Sequence, residues 1–296
     1  MKSVYHQYVN LFPKQSHDKL KPILDQVAVL RYPMDKKSFP SARPQETVVV
    51  VDGARLIDVL NLSGLGFEHI IQAKREDFAN ELLASSLMCV RPDSFRANPI
   101  PFFLGGFGSF DAKMNQDNHL MMRFGKPSEK TVTMDWIADF LDGNAKAKTL
   151  RDLVLQVADE MMTNALFNAP VSKGKTHLFK HLPRDAPVEL SSRMAPTVFL
   201  SLVKSRLVIG CKDEYGTLTQ KQLLTHLKIS STQGKAVLRP GGVGGAGLGF
   251  RLLIENSSNF YCLVEKGRFT IVACSFLLKG LRANRNTPKH FHASFG

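Results

Sequence analysis

The chain of 296 residues is long enough for two domains of roughly 100 to 170 residues each. Its residues are 44% hydrophobic, 22% charged and 9% aromatic, a globular balance that excludes wholesale disorder, collagen and a coiled-coil rod. No apolar run approaches the roughly 20 residues of a membrane-spanning helix. The segment Met1–Leu11 lacks the apolar core of a secretory signal. We therefore expect a cytoplasmic protein that does not enter a membrane.

Lysine and arginine together number 39 against 26 acidic residues, which gives a formal net charge of +13. The excess is spread along the chain and is concentrated only near the end, where residues 282–296 are assigned as a basic tail. No helix-turn-helix, zinc-finger or RNA-binding aromatic motif accompanies it, so a solvated basic surface is predicted rather than a nucleic-acid site. The four cysteines form no C-x-x-C pair and are interpreted as small core residues.

Alternating strands and helices after residue 47 predict a small parallel α/β unit. The elements are a strand at 48–51, a helix at 54–62, a strand at 67–72 and a helix at 76–90, with one earlier strand at 26–32. Prolines and glycines between residues 92 and 108 then interrupt regular structure. The first domain is therefore assigned to residues 1–112 and the second to residues 113–281.

The second domain is also predicted to be of the α/β class. Strands are expected near residues 119–124, 196–202, 207–211, 260–265 and 270–277, and helices near 128–141, 150–167 and 250–257. The helix at 150–167 carries two polar residues against its apolar stripe, Glu160 and, one turn later, Asn164. Burying both without partners costs several kcal/mol, so a bound cation or ligand is one prediction. The alternative is an ordinary structural pair at the solvent boundary.

A glycine-rich segment and the end of a strand supply two further candidate sites. Six glycines lie between Gly241 and Gly249 and are followed by a helical run, a composition that lets main-chain N–H groups converge on an anion. A glycine-rich lid without a ligand is the alternative. The apolar strand before Asp213 ends in an acidic turn, and a carboxylate there can accept a hydrogen bond from an amino group such as that of adenine.

The order of these motifs resembles the Bergerat-type ATP-binding fold of the GHKL superfamily, which includes gyrase, histidine kinases and mismatch-repair ATPases. Glu160-x-x-x-Asn164 resembles its N box, Asp213-x-x-Gly216 its first glycine box, and Thr270 its final-strand threonine. The second glycine box is matched by Gly244, Gly245, Ala246, Gly247, Leu248 and Gly249. The resemblance implies a C-terminal two-layer α/β sandwich, ATP and Mg²⁺.

Residue roles follow from the same resemblance. Asn164 is implied to hold Mg²⁺ and Glu160 to act as the general base. Asp213 and Thr270 are implied to hold the adenine amino group, with the second glycine box around the phosphates. The chain departs from the pattern in its first box, where an extra residue precedes Gly216 and no second small residue follows it. Adenine binding is therefore expected to be altered, and turnover is a weaker expectation than binding.

Within the superfamily the chain looks most like the bacterial anti-sigma-factor serine kinases. The resemblance implies a signalling protein that phosphorylates or sequesters a protein partner, and it leaves a homodimer open. The alternative is a non-catalytic adaptor that retains the fold as a protein-binding scaffold. Residues 16–23 also resemble the phosphorylatable H box of a histidine kinase at His17, Asp18, Pro22 and Ile23, a match interpreted as coincidence.

Residues 47–90 resemble the second half of a response-regulator receiver, with Lys74 in the place of its lysine after the last strand. Only 46 residues precede them, too few for a complete receiver. The first domain is therefore predicted to be a truncated, receiver-like interaction module. An unrelated small α/β domain is the alternative.

Overall fold

The computed structural model describes residues 8–11, 14, 17–32, 43–103, 119–172, 174, 176–203, 205–232 and 246–296. The chain divides into two compact units. Unit 1 contains residues 1–112 and 288–293, and unit 2 contains residues 113–287 and 294–296. Both combine helices and strands, so the predicted α/β class is confirmed. Among the described residues, every helix is too short or too polar to cross a bilayer.

Unit 1 is built on three parallel strands, β1 (Ala28–Tyr32), β2 (Thr47–Val51) and β3 (His69–Gln72), in that spatial order. The helices α1 (His17–Leu24), α2 (Leu56–Gly64) and α3 (Phe78–Val90) accompany them, and two short helices follow, α4 (Pro92–Ala97) and α5 (Ile100–Phe103). All five residues of β2 are buried, as expected of a central parallel strand that is covered on both faces. The predicted strand–helix alternation and its parallel pairing are confirmed.

The C-terminal strand β9 (His290–Phe295) adds to unit 1 antiparallel to β3. Residues 282–296 therefore contain regular structure and not only the basic tail that composition suggested. In the shared register His69 lies opposite His292 and Ile70 opposite Phe291. The apolar core of the unit lies around α1, β2 and α3 and includes Tyr8, Leu20, Leu24, Val27, Val48, Val50, Ile71, Phe78 and Leu82.

Unit 2 is built on five antiparallel strands in the spatial order β7, β8, β6, β5, β4. These are β4 (His119–Arg123), β5 (Thr197–Val203), β6 (Arg206–Asp213), β7 (Asn259–Glu265) and β8 (Phe269–Leu277). Its helices are α6 (Pro127–Asp142), α7 (Arg151–Thr163), α8 (Gln220–Thr232), α9 (Ala246–Asn256) and α10 (Leu281–Asn286). Helix α7 packs on β6 and α9, and α9 packs on β7 and β8, so these two helices meet above the middle of the sheet.

Most of the elements predicted for unit 2 are confirmed to within a few residues. Helix α8 was not predicted, although Leu223, Leu224 and Leu227 recur at helical spacing in its sequence and are buried. Helix α9 begins at Ala246, four residues before the predicted start, so residues 246–249 form its first turn. The first four N–H groups of any helix have no partner within the helix, and here they belong to the end of the glycine-rich segment.

Candidate functional site

The carboxylate of Asp213 lies at the end of β6, where the strand turns back. Its Oδ1 accepts hydrogen bonds from the main-chain N–H groups of Tyr215 (2.9 Å) and Gly216 (3.3 Å), so the side chain closes its own turn. Gly216 has a φ of +59°, and a Cβ atom there would lie 2.1 Å from the carbonyl oxygen of Glu265. Residues 213–216 thus form a turn that only a glycine at position 216 can complete.

Thr270 lies directly opposite Asp213 in the register of β6 and β8. Burial raises the pKa of Asp213 to about 6, and the N–H groups of Tyr215 and Gly216 and the nearby Thr270 oppose that rise. The Thr270 hydroxyl is buried and makes no hydrogen bond of ordinary geometry within the described part of the chain. A buried carboxylate and a buried hydroxyl therefore lie side by side, where both can form hydrogen bonds to a ligand.

A row of three polar side chains follows the inner edge of α7 and its extension. Asn164 donates from Nδ2 to Oε1 of Glu160 (2.9 Å), and its Oδ1 accepts a hydrogen bond from Nδ2 of Asn168. From Asn164 to Asn168 the helix widens into a π turn, closed by the N–H of Ala169 donating to the carbonyl of Asn164. Such turns occur frequently at functional sites, because the added residue re-aims the side chains around it.

The other oxygen of Glu160 is held from outside the helix. Arg184 Nη1 lies 3.4 Å from Oε2, with the glutamate side chain 13% exposed and the arginine 51% exposed. Gly249, in the first turn of α9, approaches the same carboxylate so closely that a Cβ atom would lie 1.8 Å from Oε1. The end of the glycine-rich segment therefore meets helix α7 at Glu160, and the absence of a side chain at Gly249 makes that contact possible.

A cavity of about 110 Å³ opens between α7, β6, β8, α8 and α9. A single water needs about 10–15 Å³ on the same measure, so the space is large enough for a ligand group. The Thr217 hydroxyl donates to the carbonyl of Ala169 (3.2 Å) and joins two of its walls. The lining residues are Met161, Asn164, Ala165, Asn168, Ala169, His177, Lys180, Cys211, Asp213, Thr217, Leu218, Gln222, His226, Phe250, Leu253, Thr270 and Val272.

The cavity brings together three residues predicted from sequence, Asn164, Asp213 and Thr270. Glu160 is joined to it through the hydrogen bond to Asn164, and Gly216 lies in the turn that holds Asp213. Gly249 lies against Glu160, and Ala246, Gly247 and Leu248 precede it in α9. Gly244 and Gly245 lie outside the described residues.

Three basic residues of the cavity were not predicted, His177, Lys180 and His226. Burial and the nearby Lys180 lower the pKa of His226, whose ring stacks on that of Phe250 at a centroid distance of 6.1 Å. His177 and Lys180 lie in the stretch between Pro170 and Asp185, which contains six basic residues. This density of basic residues is the feature of the sequence that could have indicated them. The cavity wall therefore carries a lysine and two imidazole rings that the motifs alone did not indicate.

Unit 1 holds a separate cluster in which Asp77, Glu81 and His290 offer ligand atoms within 4.8 Å of one another. The main-chain N–H of Gln72 donates to His290 Nδ1 (3.0 Å), so the neutral ring carries its proton on Nε2, which faces Asp77 Oδ1 at 3.2 Å. A metal ion on Nε2 would require that proton to move to Nδ1, against the N–H of Gln72. The hydrogen bonds therefore fit a structural network better than a metal centre.

No protein-family model matches this sequence, and no curated protein matches it either. Unit 2 is therefore interpreted from its own chemistry: its cavity wall contains a buried acid and hydroxyl, two amides and several basic side chains. Such a set suits a ligand that combines an amino-bearing ring with negative charge.

Proposed function

We propose that unit 2 binds ATP in this cavity, as expected of a Bergerat-type fold of the GHKL superfamily. The observation that carries the proposal is the pair formed by Asp213 and Thr270, a buried acceptor and hydroxyl in a wall that is otherwise apolar around Cys211 and Val272. The amino group of adenine would supply the carboxylate with a donor in addition to the N–H groups of Tyr215 and Gly216, and the flat ring suits an apolar slot.

The donor set also fits a nucleotide that carries Mg²⁺. Asn164 offers an amide oxygen, which is a hard ligand of the kind that Mg²⁺ prefers, and Mg²⁺ when bound would neutralise charge on the phosphates. That oxygen now accepts a hydrogen bond from Asn168, so Asn168 would have to release it. Residues Ala246 to Gly249 begin a helix, and their N–H groups are suited to phosphate oxygens.

Phosphorylation of a protein serine or threonine is the reaction that we propose for this site, with Glu160 as the general base. A second candidate, a non-catalytic adaptor, is favoured by one observation: both carboxylate oxygens of Glu160 are already engaged, by Asn164 and by Arg184. A carboxylate so engaged is held in position by two neighbouring side chains rather than turned toward a substrate. In either case the partner that we propose is a protein.

Isothermal titration with ATP and GTP tests the proposal. ATP should bind more tightly by about 5- to 150-fold, because GTP presents a carbonyl group to Asp213 where ATP presents an amino group. Asp213→Ala should remove that preference. Asp152→Asn is the matched control, since this acidic side chain is 90% exposed. Equal affinities for the two nucleotides in the wild type, or no binding of either, would reject adenine recognition at this site.

A further inference from the structure

Three basic side chains from one short segment reach the site, and we name them the cationic arm: His177, Lys180 and Arg184. The first two line the cavity, and the third contacts Glu160 beside it. We propose that the cationic arm binds the polyphosphate chain of the nucleotide, and that Arg184 leaves Glu160 for a phosphate when it does so. This inference rests on the proposed function and adds to it the residues that distinguish a triphosphate from a nucleoside.

Charge balance is the first argument. A nucleoside triphosphate brings several negative charges into a site that already holds the carboxylates of Asp213 and Glu160, and at short range in a partly buried site such repulsion is strongly unfavourable. Lys180 and Arg184 are the groups at hand to offset it. A neutral ligand such as adenosine would not need them.

The way in which His177 is held is the second argument. An antiparallel bridge joins His177 to Val171, and the N–H of Leu178 donates to the carbonyl of Pro170 (3.0 Å), so the main chain fixes the ring at the cavity wall. Its Nδ1 is buried and has no hydrogen-bond partner among the described residues. A buried ring nitrogen without a partner is costly unless a ligand supplies one, and a phosphate oxygen accepts from an imidazole N–H.

The third argument is the weakness of the contact that Arg184 now makes. At 3.4 Å its single approach to Glu160 is long for a charge-assisted hydrogen bond, and half of the arginine side chain is exposed. The planar guanidinium can form two parallel bonds to a phosphate, which is the better partner. Glu160 keeps its bond to Asn164 after the exchange, and its Oε2 is released. Binding of the triphosphate thus prepares the group proposed for the reaction.

Titration of adenosine, ADP and ATP into the full chain tests the cationic arm. Lys180→Gln and Arg184→Gln should each weaken ATP binding by about tenfold, the effect of losing one charge-assisted bond, and should leave adenosine affinity unchanged. Lys146→Gln, which removes an exposed lysine away from the cavity, is the control for net charge. An equal loss for ATP and adenosine, or no loss for ATP, would overturn the inference. A wild type that binds none of the three would reject the proposed function and this inference with it.

A second experiment tests whether Arg184 leaves Glu160 for a phosphate of the nucleotide. Glu160→Gln should tighten ATP binding a few-fold in the wild-type background, because Arg184 no longer has a competing carboxylate. The same change combined with Arg184→Gln should have no such effect, while Arg184→Lys should restore part of the ATP affinity. Identical effects of Glu160→Gln in both backgrounds would show that Arg184 does not exchange.

Discussion

Asn164 lies between two side chains of its own helix, donating to Glu160 and accepting from Asn168. An amide in this position fixes the orientation of its neighbours, because its donor and acceptor ends are distinct. The amide oxygen points toward Asn168 and the nitrogen toward the glutamate. Movement of Asn168 alone would therefore expose an oxygen ligand without disturbing the proposed base.

Removal of Asn164 tests the proposed metal ligand. In Asn164→Ala the affinity for ATP should no longer depend on Mg²⁺, because the proposed ligand oxygen is lost. The variant should also lose about 1–2 kcal/mol of stability with the two hydrogen bonds. Calorimetry with and without Mg²⁺ measures the first effect. Asn168→Ala removes only the hydrogen bond between Asn168 and Asn164, so its ATP affinity should still depend on Mg²⁺. If the ATP affinity of Asn164→Ala depends on Mg²⁺ as that of the wild type does, Asn164 is not the metal ligand.

Glu160→Gln separates a kinase from an adaptor. The amide keeps an oxygen for Asn164 but cannot accept a proton, so turnover should fall by roughly 100-fold or more without weaker ATP binding. ATP hydrolysis and phosphate transfer to proteins are the measurements. Asp159→Asn, at an exposed neighbour that pairs with Lys130, should keep full turnover. Absence of any turnover in the wild type would leave the adaptor as the function of this fold.

Asp213 should make unit 2 less stable as the pH rises. Its folded pKa of about 6 exceeds the ordinary value of 3.8, so the folded state holds the proton more tightly and loses stability between about pH 4 and pH 6. The full effect is on the order of 3 kcal/mol. Asp213→Asn should therefore melt several degrees higher than the wild type at pH 7.5, with the difference shrinking toward pH 4. A constant difference at all pH values would show that the carboxyl group is not the cause.

Gly249→Ala should displace the Glu160 carboxylate. The added Cβ atom would overlap Oε1, and the flexible glutamate rather than the α9 backbone is expected to move, at a cost of about 1–3 kcal/mol. Thermal unfolding of Gly249→Ala, Glu160→Ala and the double variant forms a closed cycle. The cost of the alanine should largely vanish when Glu160 is already alanine. If Gly249→Ala costs the same stability with and without the Glu160 side chain, the added methyl group does not overlap that side chain.

His290 should make unit 1 sensitive to acid. Burial and the positive charge of Arg75 lower its pKa to about 4, so the stability that depends on the neutral ring is complete above about pH 6.5 and is lost as the pH falls through 4. In His290→Asn the side-chain oxygen can still accept from the Gln72 N–H but no longer titrates. The variant should lose less stability than the wild type between pH 6.5 and pH 4, as measured by denaturant unfolding.

The sequence predicted those site residues that belong to strongly patterned elements. Asp213 ends an apolar strand and Asn164 interrupts an apolar helix stripe, so each could be placed without knowledge of the rest of the fold. That Asp213 and Asn164 line the same cavity could be expected only from the resemblance to the motif order of the GHKL superfamily. The matching of Thr270 to Asp213 is a property of strand register, which the alternation of residues along a single strand does not reveal.

Other features depend on contacts that no local pattern encodes. The π turn after Asn164 shifts the helix by one residue, and nothing in its composition marks that change. His177 and Lys180 lie in a segment without periodicity, and a bridge between single residues positions them. Strand β9 lies in a stretch that was interpreted by its charge, although its alternate histidines are buried. Tertiary packing decided each of these cases.

The pairing of His69 with His292 joins positions 223 residues apart. At a translation rate of about 5–20 residues per second, strand β3 waits roughly ten to forty-five seconds on the ribosome before its partner emerges. During that interval β3 is an open edge, and Glu81 lacks the imidazole of His292 that lies 3.0 Å away in the folded protein. Unit 1 is thus completed only after unit 2 has been synthesised, and the β3 edge of the nascent chain is open to mispairing until then.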